Sequence, residues 1–135
     1  MERTFIMIKP DGVERRLIGK IISRIENKGF NITKAKLFMP SVELVEKHYA
    51  EHYGKDFYNE LVSFISGGTV MAMIVEGENC IQVMRLLIGD KNPVNATPGS
   101  IRGDHASSTT YNIIHGSDSS DTAKREIALW FGGEE

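Results

Sequence analysis

A single cysteine, Cys80, in 135 residues rules out an internal disulfide and suits a reducing compartment. No apolar run approaches the ~20 residues a membrane helix needs, and no charged-then-apolar leader opens the chain. The expectation is a cytoplasmic protein with no membrane partner. Neither sign of charge dominates: 16 Lys and Arg face 18 Asp and Glu, a net charge of −2. Without a global basic field, nucleic acid is not an expected partner, and any phosphate ligand must be held by a few cations that the fold gathers locally.

The familiar phosphate and nucleophile motifs are missing too. Gly12 and Gly19 are too far apart for Gly19-Lys20 to serve as a Walker lysine, and neither G-x-G-x-x-G nor G-x-S-x-G occurs. One cysteine and four scattered histidines (His48, His52, His105, His115) make no structural zinc pattern, so no metal ligand is assigned. Two N-x-T triplets, at Asn31 and Asn95, and the tripeptide Arg102-Gly103-Asp104 carry no meaning inside a cell.

What is present suits one globular domain, residues 1–135, with 41% hydrophobic and 25% charged residues. "TFIMIKP" predicts a buried strand ended by Pro10. Ile18, Ile21, Ile22 and Ile25 predict a helix that Gly29 stops. "FNITKAKLFMP" predicts a strand irregular between Ile32 and Ala35. Helices follow from Ser41 and from about Phe57 to Ile65, then the strand "TVMAMIVEG" and the helix "NCIQVMRLLIG". From Asn92 to Asn112 the pattern vanishes, and a loop of about 20 residues inside a compact domain is usually functional or disordered. The strand "NII" and a helix from about Asp121, with Ala123, Ile127, Trp130 and Phe131 on its core face, complete the chain. This β-α-β-β-α-β order predicts a four-stranded antiparallel sheet with helices packed on one face.

The segment "NIIHGSDSSD" drives apolar residues into His115 and then Gly116. It reads either as a strand ending in a turn with a half-buried histidine, or as a nucleophile presented at a strand end. Other polar and aromatic residues fall where elements end: Lys9 before Pro10-Asp11-Gly12, Tyr49, Phe57, Arg85, and Arg102 within the loop. Singly, each has a bland alternative as a solvated cation, a loop bridge or core; together with the long loop they mark the region where sites are built.

The stretches "ERTFIMIKPDGV", "HYAEHYGKDFYNELVSFI", "GDKNPVNATPGSIRGD" and "NIIHGSDS" resemble the nucleoside diphosphate kinases along essentially the whole chain. The resemblance implies a ferredoxin-like α/β domain that moves the γ-phosphate of a nucleoside triphosphate onto a nucleoside diphosphate, ping-pong, through a phosphohistidine at His115. Neutral imidazole is a competent nucleophile near neutral pH, provided a partner holds its far nitrogen. By the same resemblance Glu126 is that orienting carboxylate and Ser117 the hydroxyl linked to it. Lys9, Arg85 and Arg102 would supply phosphate cations, Tyr49 would contact the phosphates, Asn112 with Lys9 would hold the sugar, and Phe57 would stack on the base. Mg²⁺ would arrive bound to the nucleotide.

Three features depart from the family's pattern. Lys91 stands where a phosphate-binding threonine is common, Tyr111 replaces a common arginine, and "HASSTT" (105–110) is unlike the usual loop. The resemblance also implies a homo-oligomer; the chain stops at Glu135 where many relatives continue, which leaves hexamer and tetramer both open. The other functional reading is a nucleotide-binding or regulatory module on the same fold.

Overall fold

The computed structural model describes residues 1–132. Four strands, β1 (Arg3–Ile8), β2 (Asn31–Phe38), β3 (Val70–Glu76) and β4 (Ile114–Gly116), form one sheet in the order β2-β3-β1-β4. Every pairing is antiparallel, which is the ferredoxin-like plan. Seven α-helices accompany them among the described residues: α1 (Pro10–Glu14), α2 (Ile18–Asn27), α3 (Val42–His48), α4 (Tyr58–Ser66), α5 (Cys80–Ile88), α6 (Ile101–His105) and α7 (Ser120–Phe131). None is long and apolar enough to cross a membrane.

The helices cover both faces of the sheet rather than one. Phe5 and Met7 of β1 pack with Val45, Val62, Ile65, Ile127, Trp130 and Phe131 of α3, α4 and α7. Ile6 and Ile8, on the opposite face, pack with Ile21, Ile25, Met84, Ile88 and Ile101 of α2, α5 and α6. Consecutive apolar residues in "FIMI" are what a strand buried on both sides requires, whereas one wet face would call for alternation. Full burial of each large side chain contributes about 1.5–3 kcal/mol, so this central strand anchors both layers.

Local chemistry explains the element ends. Pro10 stops β1 and also opens α1, where its fixed φ is already helical. Gly29, at φ 95°, ends α2 by donating its N–H to the Glu26 carbonyl at 2.9 Å. The irregularity in β2 lies between Ile32 and Lys34, leaving Thr33 outside the ladder. Ser119 caps α7 by accepting the Thr122 N–H at 3.2 Å.

The long segment after α5 is not structureless. Ser100 accepts the Gly103 N–H at 3.0 Å and starts α6, which buries Ile101 and Arg102. Strand β4 begins at Ile114, two residues later than "NII" suggests, and His115 sits inside it opposite Met7. Just before β4, Ile113 has φ 77°, a rare value for a β-branched residue. The Ile114 N–H donates to the Asn112 carbonyl at 2.8 Å, closing a strained γ-turn around Ile113. Such strain costs about 1–3 kcal/mol and persists only where neighbours enforce it. They do: the Ile113 N–H donates to Asp11 Oδ2 at 3.0 Å, and its carbonyl accepts the Lys9 N–H at 2.7 Å.

Candidate active site

The C-terminal end of β1 lies beside β4, so Lys9 and the 112–117 segment meet although a hundred residues separate them. On one side of that junction, His115 Nε2 stands 2.9 Å from Glu126 Oε1. A carboxylate can only accept here, so it fixes the proton on Nε2 and leaves the Nδ1 lone pair for chemistry. The Ser117 hydroxyl donates to the same Glu126 oxygen at 2.6 Å and accepts the Phe5 N–H at 3.3 Å. Glu126, in the middle of α7, is 3% exposed. Burial pushes its carboxyl upward, but the hydrogen bond and charge of His115, with help from His48 and Ser117, hold it below its ordinary value.

His48, at the end of α3, joins this group without any hint from local sequence. Its ring lies 4.7 Å from that of His115, nearly perpendicular to it. The Trp130 indole N–H donates to His48 Nδ1 at 2.9 Å. Burial, reinforced by the neighbouring His115, lowers the pKa of His48 to about 3, so it is neutral and carries its proton on Nε2. That proton faces Glu126 Oε2 at 3.7 Å.

His48, His115 and Glu126 are also the one trio among the described residues with metal-ligand atoms within 4.8 Å of one another. A metal on His48 Nε2 would move the proton to Nδ1, against a Trp130 N–H that can only donate. His48 is therefore poorly suited to hold a metal, and the hydrogen bond within the trio is that of His115 with Glu126.

On the other side, Lys9 is buried and donates to Asn112 Oδ1 at 2.7 Å. Burial, with Arg102 nearby, lowers its pKa to about 7. Arg102 donates to the carbonyls of Gly89 (3.1 Å), Ile114 (2.5 Å) and Asn112 (3.4 Å), pinning the strained turn. Burial and the Arg85 charge lower its pKa to about 10, so it stays cationic at neutral pH. The buried Tyr49 hydroxyl has no partner among the described residues. Burial and the Glu126 charge raise its pKa, so it remains a phenol with a proton to donate. Gly12 lets these parts approach: a Cβ there would fall 2.7 Å from Ile8 Cγ2 and 2.9 Å from the Ile113 carbonyl.

The sequence-predicted residues thus converge unequally. His115, Glu126 and Ser117 form one bonded group, and Lys9, Asn112 and Arg102 another. Tyr49 links the two, its ring 4.5 Å from His48 and its hydroxyl within the field of Arg102. Arg85 acts on Arg102 through its charge and lines a cavity of about 380 Å³ with Glu2, Gln82 and Asp118. Phe57 lies at the rim, 45% exposed and 5.3 Å from the His52 ring, with Lys55 above its face. Lys91 is exposed; its carbonyl accepts the Asn112 Nδ2–H at 3.1 Å.

Asp11 and Ile113 were not singled out by sequence. Asp11 carried a signal in its place within "KPDG", whereas an isoleucine in a γ-turn carries none. The nitrogen donors of Lys9 and Arg102 suit phosphate oxygens.

The family model for nucleoside diphosphate kinase matches residues 2–135. A nucleoside diphosphate kinase from Staphylococcus aureus is 58% identical over 135 residues, covering 100% of this chain and 91% of the relative. One from an Exiguobacterium species is 57% identical over 131 residues, covering 97% of this chain and 94% of the relative. Among solved structures, the enzyme of Encephalitozoon cuniculi superposes with a TM-score of 0.96 at 46% identity, covering 99% of this chain and 91% of the other. A halophilic nucleoside diphosphate kinase from Halobacterium salinarum in complex with CDP gives 0.96 at 47% identity, covering 99% and 90%. With sequence and fold in agreement along its length, the chain belongs to the nucleoside diphosphate kinase family.

Proposed function

We propose that the chain, as one domain acting in the cytoplasm within a homo-oligomer, transfers the γ-phosphate of nucleoside triphosphates to nucleoside diphosphates through a phosphohistidine at His115. The observation that carries this reading is the 2.9 Å contact of His115 Nε2 with Glu126. It commits one ring nitrogen as donor and frees the other as nucleophile.

His115 Nδ1 attacks the γ-phosphorus. The N–P bond forms while the bond to the β-phosphate oxygen breaks, and the diphosphate leaves with the electron pair. A second diphosphate reverses the step with its terminal oxygen. As Nδ1 bonds to phosphorus the ring gains positive charge, which the Glu126 carboxylate offsets. Ser117 holds that carboxylate in place.

Phosphoryl transfer passes through a loose, charge-spread transition state, so positioning and cations dominate the catalysis. Lys9, Arg85 and Arg102 supply charge to the phosphates. Arg102 has donors to spare beyond its three carbonyl contacts, since a guanidinium carries five. The Tyr49 hydroxyl, unpartnered among the described residues, donates to a phosphate oxygen. Asn112 and Lys9 hold the ribose, Lys91 adds a rim cation, and Phe57 stacks on the base. Stacking reads few base edges, which suits purines and pyrimidines alike. Mg²⁺ would arrive with the nucleotide and add positive charge at its phosphates.

Initial rates with ATP and dTDP both varied test the route. Parallel double-reciprocal lines are expected. Intersecting lines would mean direct transfer in a ternary complex and would sink the covalent intermediate.

A further inference from the structure

Tyr111 lies immediately before Asn112, and its contacts reach away from β4 to α4. Its hydroxyl donates to Glu60 Oε1 at 3.2 Å. Its ring meets Phe64 edge-on, with centroids 4.6 Å apart and planes at 76°. Glu60 and Phe64 are one turn apart on α4, and Phe57 precedes Glu60 by three positions, so all three lie along one face of that helix.

The turn carrying Tyr111 is itself organised. Ser108 Oγ accepts the N–H groups of Thr110 and Tyr111, both at 3.2 Å. Asn112 Nδ2 donates to the carbonyls of Thr109 and Lys91. The Asn112 side chain is therefore fixed on its own turn, and Tyr111 fixes that turn to the helix that presents Phe57.

We propose that Tyr111 is a positioning residue that sets the width of the nucleoside cleft, by tying the Asn112 turn to α4 and so fixing Phe57 relative to Asn112. The inference rests on the reading above, in which Phe57 takes the base and Asn112 the ribose. Tyr111 touches neither the phosphates nor His115. It should therefore govern how firmly a nucleoside is held and not how fast phosphorus moves once it is in place.

The test compares two quantities in the parent, Tyr111→Ala and Tyr111→Phe: the dissociation constant of Mg·ADP by calorimetry, and the rate of His115 phosphorylation by phosphoramidate, a donor without a nucleoside. Losing an edge-to-face pair and a hydrogen bond should raise the Tyr111→Ala dissociation constant roughly three- to tenfold. Tyr111→Phe keeps the ring contact and should rise about twofold. The phosphoramidate rate should change by less than about twofold in both. An unchanged dissociation constant in Tyr111→Ala would overturn the role, and so would an equal loss in both quantities, which would indicate general distortion of the site. Failure of the parent to become phosphorylated would instead count against the proposed phosphotransfer, and the ADP comparison would still decide the role of Tyr111.

Discussion

Replacing Glu126 separates two things this carboxylate contributes, a negative charge and an acceptor in a fixed place. Oε1 takes donors from His115 at 2.9 Å and Ser117 at 2.6 Å, while Oε2 faces the His48 Nε2 proton at 3.7 Å. Glu126→Gln can sit two ways. With its amide oxygen at the Oε1 position both short bonds survive, and the new NH₂ meets a donor only at the longer distance. The flipped amide would set NH₂ against two donors at hydrogen-bond range, so the first orientation wins. The loss is then the difference between charge-assisted and neutral hydrogen bonds, about 1–1.5 kcal/mol, or roughly tenfold in rate. Glu126→Ala removes the acceptor, frees the imidazole to change tautomer, and should cost on the order of 10²–10³ in rate. The assay is quenched-flow phosphorylation of His115 at saturating Mg·ATP, with thermal melts to verify folding. A Gln variant as slow as the Ala variant would refute the orientation argument. An Ala variant within about twofold of the parent would remove Glu126 from the mechanism altogether.

Two further perturbations test neighbouring parts. With the unliganded pKa of Lys9 lowered to about 7, much of this lysine is neutral at pH 8, and phosphates should restore its charge. Nucleotide binding at pH 8 should then take up about one proton, seen calorimetrically as a binding heat that changes with the buffer's ionisation enthalpy. The uptake should vanish in Lys9→Gln, and a buffer-independent heat in the parent would contradict the assignment. Gly12→Ala would drive a Cβ to within 2.9 Å of the Ile113 carbonyl, a backbone atom that cannot yield cheaply. It should cost about 1–3 kcal/mol of stability, lowering Tm by roughly 3 °C or more, and slow phosphorylation by displacing the turn before His115. A variant matching the parent in both would mean that this close approach is unimportant.

Periodicity carried the regular elements well. The isoleucines at 18, 21, 22 and 25 marked α2, Gly29 its stop, and the broken alternation after Ile32 the irregular register of β2. The unbroken "FIMI" run already contained the two covered faces of the sheet, although the element order alone suggests one. Helix α6 was hidden because five residues give no period; a serine cap and the burial of Ile101 and Arg102 create it. His115 and Glu126 became legible through the family's motifs. His48 did not, because its role comes from Trp130 and Glu126, which reach it only when α3 and α7 pack. The γ-turn at Ile113 runs against local preference and exists because Asp11, Lys9 and Arg102 enforce it from a distance.

The intact mass of the protein after mixing with Mg·ATP, with His115→Ala alongside, tests the central claim most directly. The account predicts one acid-labile phosphate on the parent alone, discharged when GDP is added. A parent that binds nucleotide yet gains no mass, or a His115→Ala variant that gains the same phosphate, would contradict it.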